Sequence, residues 1–467
     1  MDEPKETYRD SLATVSESGK RIWIYPKKPS GRYHRWRLVL SWLLIGAMVS
    51  GPLIHIDGQP LMLFNFLERK FILFGVVFWP HDFYLFAILM ITGVVMIALF
   101  TVIFGRLFCG WVCPQTIFME LVFRKIEYWI EGDRNRQKAL SRQEWNTEKI
   151  VKRTLKHGVF FLISFFIANV FLAYFIGIEG LLALVTDNPL NHVGGLISIL
   201  VFSGLFYGVF AWMREQVCTV ICPYGRLQGV LLDRKSIVIA YDHVRGEQRG
   251  PVRKGVSREE QGLGDCIDCD QCVQVCPTGI DIRHGTQLEC VNCTACIDAC
   301  DHIMDKIEKP RGLIRYSSAD AISEGSSKHF GARAWAYTAV LAVLMVISVA
   351  LLLTRSDVEA TIMRVPGTIY QKMDDGRISN LFDVVLINKT NKDIQIDLRL
   401  IDSPAELKMI NHEDVVKAQQ EKKMTFMVLY KKTDITAFQS PLEIEINSMG
   451  IPLKQVETTF IGPTGSL

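Results

Sequence analysis

The stretch CIDCDQCVQVCPTGIDIRHGTQLECVNCTACIDAC, residues 266–300, carries eight of the twelve cysteines in two tandem runs. Cys266, Cys269, Cys272 and Cys276 form the first run, and Cys290, Cys293, Cys296 and Cys300 the second. Each reads C-x2-C-x2-C-x3-C, the spacing of bacterial two-cluster ferredoxins. A [4Fe–4S] cube takes four thiolates. A tight C-x2-C-x2-C turn supplies three from one side and the other run supplies the fourth. The expected sets are therefore Cys266, Cys269, Cys272 and Cys300 for one cluster, and Cys290, Cys293, Cys296 and Cys276 for the other. This crossed connectivity brings two cubes together for electron relay. Pro277 follows Cys276 as in the ferredoxin run, whereas Asp301 follows Cys300, a departure from it. Zinc sites pair C-x2-C units across a longer spacer, which these runs do not do.

The other four cysteines form two C-x3-C-P pairs, Cys109/Cys113 with Pro114 and Cys218/Cys222 with Pro223. Residues four apart share a helix face. Alternatively, each proline starts a helix and the cysteines sit at its N-terminus, where a thiolate is favoured. The two pairs are candidates for one four-thiolate redox site. It would suit copper as soft Cu(I), a further iron–sulfur cluster or a dithiol/disulfide couple. Four structural cysteines is the competing reading.

The chain has 467 residues, 49% of them hydrophobic, and a net charge of +3, too small to argue for nucleic acid. Twelve cysteines with metal-type spacing point to a reducing compartment. About 20 apolar residues of helix cross a membrane, and five stretches qualify: Leu38–Ile56, Phe83–Phe104, Gly158–Ile176, Val193–Met213 and Ala334–Thr354. The shorter run Phe71–Trp79 reads as interfacial or re-entrant. The first 37 residues are polar and basic, with no secretory signal pattern. They hold nine Lys and Arg and the Gly105–Lys156 loop eleven, against none in Gly177–His192. The positive-inside rule then puts the N-terminus and the cysteine-rich module in the cytoplasm and the C-terminus in the periplasm, a multi-pass inner-membrane topology. Two spans precede each C-x3-C-P pair, so the four-span part at 38–234 reads as a repeat. The iron–sulfur module follows at 235–333, then the fifth helix at 334–354.

Beyond it, residues 355–467 change character. Leu381–Asn388, Ile394–Leu400, Thr425–Tyr430 and Pro441–Ile446 read as strands, the first two separated by the turn at 389–393. A β-sandwich without a disulfide is expected, since no cysteine lies there. Asp265, Asp268, Asp270, Asp298 and Asp301 surround the cysteines as a partner-docking or potential-lowering set, or as a plain solvated face. His55, His81 and His192 read as interfacial residues more readily than as copper or haem ligands, and Met48, Met90 and Met96 as span packing. No Gly-rich dinucleotide fingerprint follows a strand, so electrons come from a partner or from quinol.

With GRLFCGWVCPQ, EQVCTVICPYGRLQ and the 266–300 runs in place, the chain resembles the FixG/RdxA/CcoG family of cytochrome-c-oxidase accessory proteins. EGDRNRQ at Glu131–Gln137 and the C-terminal domain extend the resemblance over nearly the whole chain. The C-x3-C-P pairs are also similar to those of membrane ferredoxins serving nitrate and nitrous-oxide reductases. The resemblance implies a multi-domain membrane protein, with an α-helical bundle, a two-cluster ferredoxin-like module and an immunoglobulin-like β domain. It also implies cupric reductase activity supporting assembly of a cbb-type oxidase, with oxidase subunits or copper chaperones as partners. A quinol-linked electron conduit and a non-enzymatic assembly factor are the alternatives. The electron donor, and whether the chain forms a homodimer, stay open.

Overall fold

In the computed structural model the described residues run from 13 to 463, apart from 17, 57, 67–69, 80–81, 189–191, 253–257, 259, 326–330, 368, 391, 411–414, 436 and 449–450. His81 lies outside them. The chain forms two compact units, Met1–Ser348 and Val349–Leu467.

Four helices in the described residues are long and apolar enough to cross a membrane: Phe83–Phe104, Thr147–Thr186, Val193–Met213 and Ala332–Leu353. Their mean hydropathies reach 2.0 to 2.7, yet no more than 33% of each apolar window is buried inside the protein. A water-soluble helix hides its apolar stripe, whereas these turn most of theirs outward, as lipid contact demands. The helix Thr147–Thr186 begins well before the expected Gly158. Its N-cap Asn146 accepts from the Lys149 amide at 2.9 Å, and the basic turns that follow precede the apolar part. The expected end at Ile176 coincides with a break at Gly177, whose φ of 75° only glycine adopts without strain.

The first expected span differs. Its helix runs Arg32–Ser50, not Leu38–Ile56. It starts in a basic turn and ends at Gly51-Pro52, so only Leu38 onward is apolar, and it is not among the four. The run Phe71–Trp79, read as interfacial or re-entrant, enters an antiparallel sheet of Met62–Asn65, Lys70–Leu73 and Val76–Phe78 and is no span. Phe74 and Gly75, at φ 51° and 79°, make its tight hairpin turn, and Ile72, Val77 and Phe78 are buried.

The cysteine-rich module packs a two-stranded sheet, Val238–Tyr241 with Ile314–Ser317, beside the helix Ala295–Lys306. The second unit is all β. One sheet joins Glu406–Met409, Glu421–Tyr430, Ile378–Asn388 and Val358–Arg364; the other joins Asp397–Ile401, Gln439–Ser448 and Ile451–Ile461. All four predicted strands are present, and the segment read as Ile394–Leu400 divides into Ile394–Gln395 and Asp397–Ile401. Alternation explains the core: Phe382, Val384 and Leu386 on one strand, Phe426 and Val428 on its neighbour and Ile444 and Ile446 across are all fully buried. Phe382 and Phe426 stack at 5.5 Å. The final strand, Ile451–Ile461, gives no clear alternation, because Lys454, Gln455 and Glu457 interrupt its apolar residues on both faces.

Phe426→Ala is expected to cost this unit about 3–5 kcal/mol. Thermal unfolding of the full chain, followed by β-sheet circular dichroism, reads that loss; a transition unmoved from wild type rules out Phe426 as a core anchor.

Candidate metal centre

The two cysteine loops share a backbone. In the first, Asp268 and Asp270 flank Cys269, both at φ 54°; in the second, Asn292 and Thr294 flank Cys293 at φ 52° and 65°. Asp and Asn tolerate this left-handed region, whereas a β-branched threonine is strained there. Two left-handed residues around the middle cysteine curl each C-x2-C-x2-C segment, so that its thiols face one concavity. Cys266, Cys269, Cys272 and Cys300 line one cavity, walled by Tyr241, Met304 and Leu313. Cys276, Cys290, Cys293 and Cys296 line a second, walled by Pro277, Ile280 and Val291. Cys272 reaches both, so the two cavities adjoin. The fourth cysteine of each set comes from the opposite run, Cys300 on the helix Ala295–Lys306 and Cys276 just past the short helix Gln271–Gln274.

The donor chemistry fits iron–sulfur binding. Thiols alone among potential ligands converge on the second cavity, with no histidine or carboxylate. Burial pushes the Cys290 thiol up to about 12, Cys293 to about 11 and Cys272 to about 12. Such thiols keep their protons until iron replaces them. Four thiols around each of two adjoining cavities is the donor set of a pair of [4Fe–4S] clusters.

Each of the nearby carboxylates has a partner within the chain. Arg283 ties Asp268, Asp270 and Asp281 at 2.6, 2.7 and 2.6 Å, pinning the left-handed turn of the first loop. Asp265 pairs with Arg245 at 2.5 Å. Asp298 accepts from the Tyr33 and His34 amides at 3.1 and 2.8 Å, capping the helix Arg32–Ser50. Asp301 accepts from the Gly312 amide at 2.9 Å. His192 pairs with Asp187 at 3.2 Å, and His55 contacts its neighbouring Leu53 carbonyl.

The C-x3-C-P pairs occupy matching positions. Each membrane helix preceding a pair ends on a residue in the same unusual conformation, Gly105 at φ 55°, ψ −129° and Arg214 at φ 53°, ψ −123°. Each second cysteine is an N-cap, Cys113 before a helix opening at Pro114 and Cys222 before Pro223–Leu231. The helix-start reading therefore holds over the shared-face reading. The first cysteines, Cys109 and Cys218, pack against the same apolar cluster. Burial pushes Cys109 up to about 11 and Cys218 to about 12, so for these two the helix-end argument for a thiolate loses to desolvation. The Cys109 thiol donates to Gln228 Oε1 at 3.3 Å. Cys109 and Cys218 pack on the apolar cluster of Val275, Val291, Cys293 and Ala295, against which Cys296 also packs. The membrane thiols thus touch the wall of the second ferredoxin cavity.

Four buried arginines hold that junction, and the sequence reading passed over them. Arg37 donates to Gly110 O at 2.7 Å and Cys293 O at 3.1 Å. Arg106 donates to Leu288 O and Gly225 O. Arg124 meets Glu120 at 3.0 Å, Glu215 at 3.3 Å and Pro277 O at 3.2 Å. Arg214 grips Glu127 with two bonds of 3.0 and 2.8 Å. The available signal was position: Arg106 and Arg214 stand just before the first cysteine of each pair. Gly110 is the second constraint, since a Cβ there would come within 2.4 Å of Asn292 O and 2.6 Å of Val291 O.

Gly110→Ala is expected to displace the Cys290–Cys296 loop, and Arg37→Met to remove the donor that joins Gly110 O to Cys293 O, at about 1–3 kcal/mol. Both lower iron per chain in anaerobically purified protein; wild-type iron in both variants would show that the junction does not shape the loop.

Comparison with known proteins follows this geometry. Residues 86–137 match a "4Fe-4S binding domain", 213–319 a "4Fe-4S dicluster domain", and 348–463 the "IG-like fold at C-terminal of FixG". Protein RdxB of Cereibacter sphaeroides is 37% identical over 82% of this chain and 83% of its own, and protein RdxA of the same organism 37% identical over 80% and 81%. Nitrogen fixation protein FixG of Rhizobium meliloti is 36% identical over 64% of this chain and 58% of its own. With four apolar helices, two thiol-lined cavities and an immunoglobulin-like domain, the chain is an iron–sulfur electron-transfer protein of the membrane and belongs to the FixG/RdxA family.

Proposed function

We propose that this protein reduces Cu(II) to Cu(I) at the membrane face in support of cbb-type oxidase assembly, using electrons delivered through its iron–sulfur module. The observation that carries the reading is the packing of Cys109 and Cys218 on the cluster that contains Cys293, against which Cys296 also packs. Cys266, Cys269, Cys272 and Cys300 would hold one cluster, and Cys276, Cys290, Cys293 and Cys296 the other. Bound clusters supply one-electron transfer at a potential set by charge, hydrogen bonds and exposure.

The chain's own residues do the rest. Arg37 and Arg124 fix the backbone of Cys293 and Pro277 against the membrane half, so the relay distance does not fluctuate with the loops. Gln228 holds Cys109. Cys109, Cys113, Cys218 and Cys222 receive copper as substrate, since soft thiolate sulfur favours Cu(I) over Cu(II). One electron converts Cu(II) to Cu(I), with no bond to carbon or oxygen made or broken. The copper and oxidase ends of the reading rest on the family resemblance. The Lys and Arg bias supports a cytoplasmic thiol and cluster face, with the β unit in the periplasm.

Cys109→Ser and Cys218→Ser are expected to keep the iron and the reduced-cluster EPR signal while losing cupric reduction by about tenfold or more. Stopped-flow mixing of dithionite-reduced protein with Cu(II) measures it. Wild-type rates in both variants would remove the thiols from the path.

A further inference from the structure

The membrane half contains a cavity of about 450 Å³, a volume typical of small-molecule sites. Phe66, Phe118, Phe171, Phe206 and Phe210 supply most of its wall. Phe206 and Phe210 lie nearly parallel, at 13°, and Phe66 and Phe171 are exposed at the rim, so a flat apolar ring has an aromatic wall to lie against and a way in from the lipid side.

One wall residue asks for something a hydrocarbon lacks. Gln115 lines the cavity, its Nε2 is shielded from solvent, and no acceptor reaches it. The other polar group on the wall, the Tyr174 hydroxyl, is already spent on Met48 O at 2.6 Å. An amide N–H buried among phenylalanines without an acceptor is unfavourable, and an acyl chain does not relieve it. A carbonyl oxygen on an apolar ring does.

We propose that this cavity binds the head ring of a membrane quinone, the Gln115 amide donating to a quinone carbonyl and the phenylalanines enclosing the ring. Gln115 follows Cys113 across a single proline. The ring therefore lies at the membrane end of the thiol site, where a lipid-soluble redox partner reaches the module without a nucleotide-binding domain. The proposal adds a partner to the copper reading above, but the binding does not depend on copper.

The test is equilibrium dialysis of detergent-solubilised full-length protein against decylubiquinone, with protein-free micelles as the control. Wild type is expected to show saturable binding near one per chain. Gln115→Leu should weaken it about tenfold through loss of one hydrogen bond in apolar surroundings, and Val170→Trp, which fills the cavity, should abolish it. Iron content of both variants reports folding. Binding no greater than in micelles overturns the proposal, as does unchanged binding in both variants, or displacement of decylubiquinone by equimolar phosphatidylcholine, which would make the occupant a lipid. Cupric reduction by dithionite-reduced Val170→Trp bypasses the cavity. If it persists while quinone binding fails in wild type, only the quinone proposal falls; if it is absent in wild type while quinone binds, only the copper reading falls.

Discussion

Four arginine side chains, each at most 4% exposed, govern the structure around the cysteines. A buried guanidinium is tolerable only when carboxylates or carbonyls surround it, and removing one partner of such a pair costs about 3–5 kcal/mol. Most of their partners are distant in sequence. Arg37 reaches Cys293, Arg106 reaches Leu288 and Arg124 reaches Pro277, so the helical half dictates where the ferredoxin loops sit. Arg214 and Glu127, in turn, lock the two helical repeats together. The alignment of thiols with thiols follows from this set of charges more than from the cysteines themselves.

The repeat shares its turn and its helix start at the proline but is unequal in chemistry. Gly105 and Arg214 occupy the same conformation, but glycine enters it freely whereas arginine is strained there by about 1–3 kcal/mol. At Gly105 a side chain is also sterically barred, since a Cβ would lie 2.8 Å from Val238. At 214 the bidentate grip on Glu127 compensates. One half has kept its turn for space and the other for charge.

How much of this was legible in the sequence depends on range. The cysteine spacing, the helix starts at Pro114 and Pro223, the apolar helices and the alternating strands from Leu381 are local signals, and local rules read them. The role of the helix Arg32–Ser50 was not legible as such: its basic opening looked like a flank to a span, but Arg37 is buried 256 residues along the chain from Cys293. The carboxylates around the cysteines carried the same ambiguity. Whether Asp268 faces water or Arg283 is decided by a turn 15 residues away, and composition does not encode that.

The close approach at Gly110 bears on how the protein is built in the cell. The carbonyls of Val291 and Asn292 rest where a side chain would otherwise be, and the donors to the neighbouring Leu288 and Cys293 carbonyls, Arg106 and Arg37, come from the helical half of the chain. The segment from Lys235 onward emerges from the ribosome after those helices, so its loops close on a surface already formed. A soluble fragment beginning there keeps all eight cysteines but has none of Arg37, Arg106 and Arg124. The loops around Cys293 and Pro277 thus take part of their support from a half of the chain that such a fragment lacks.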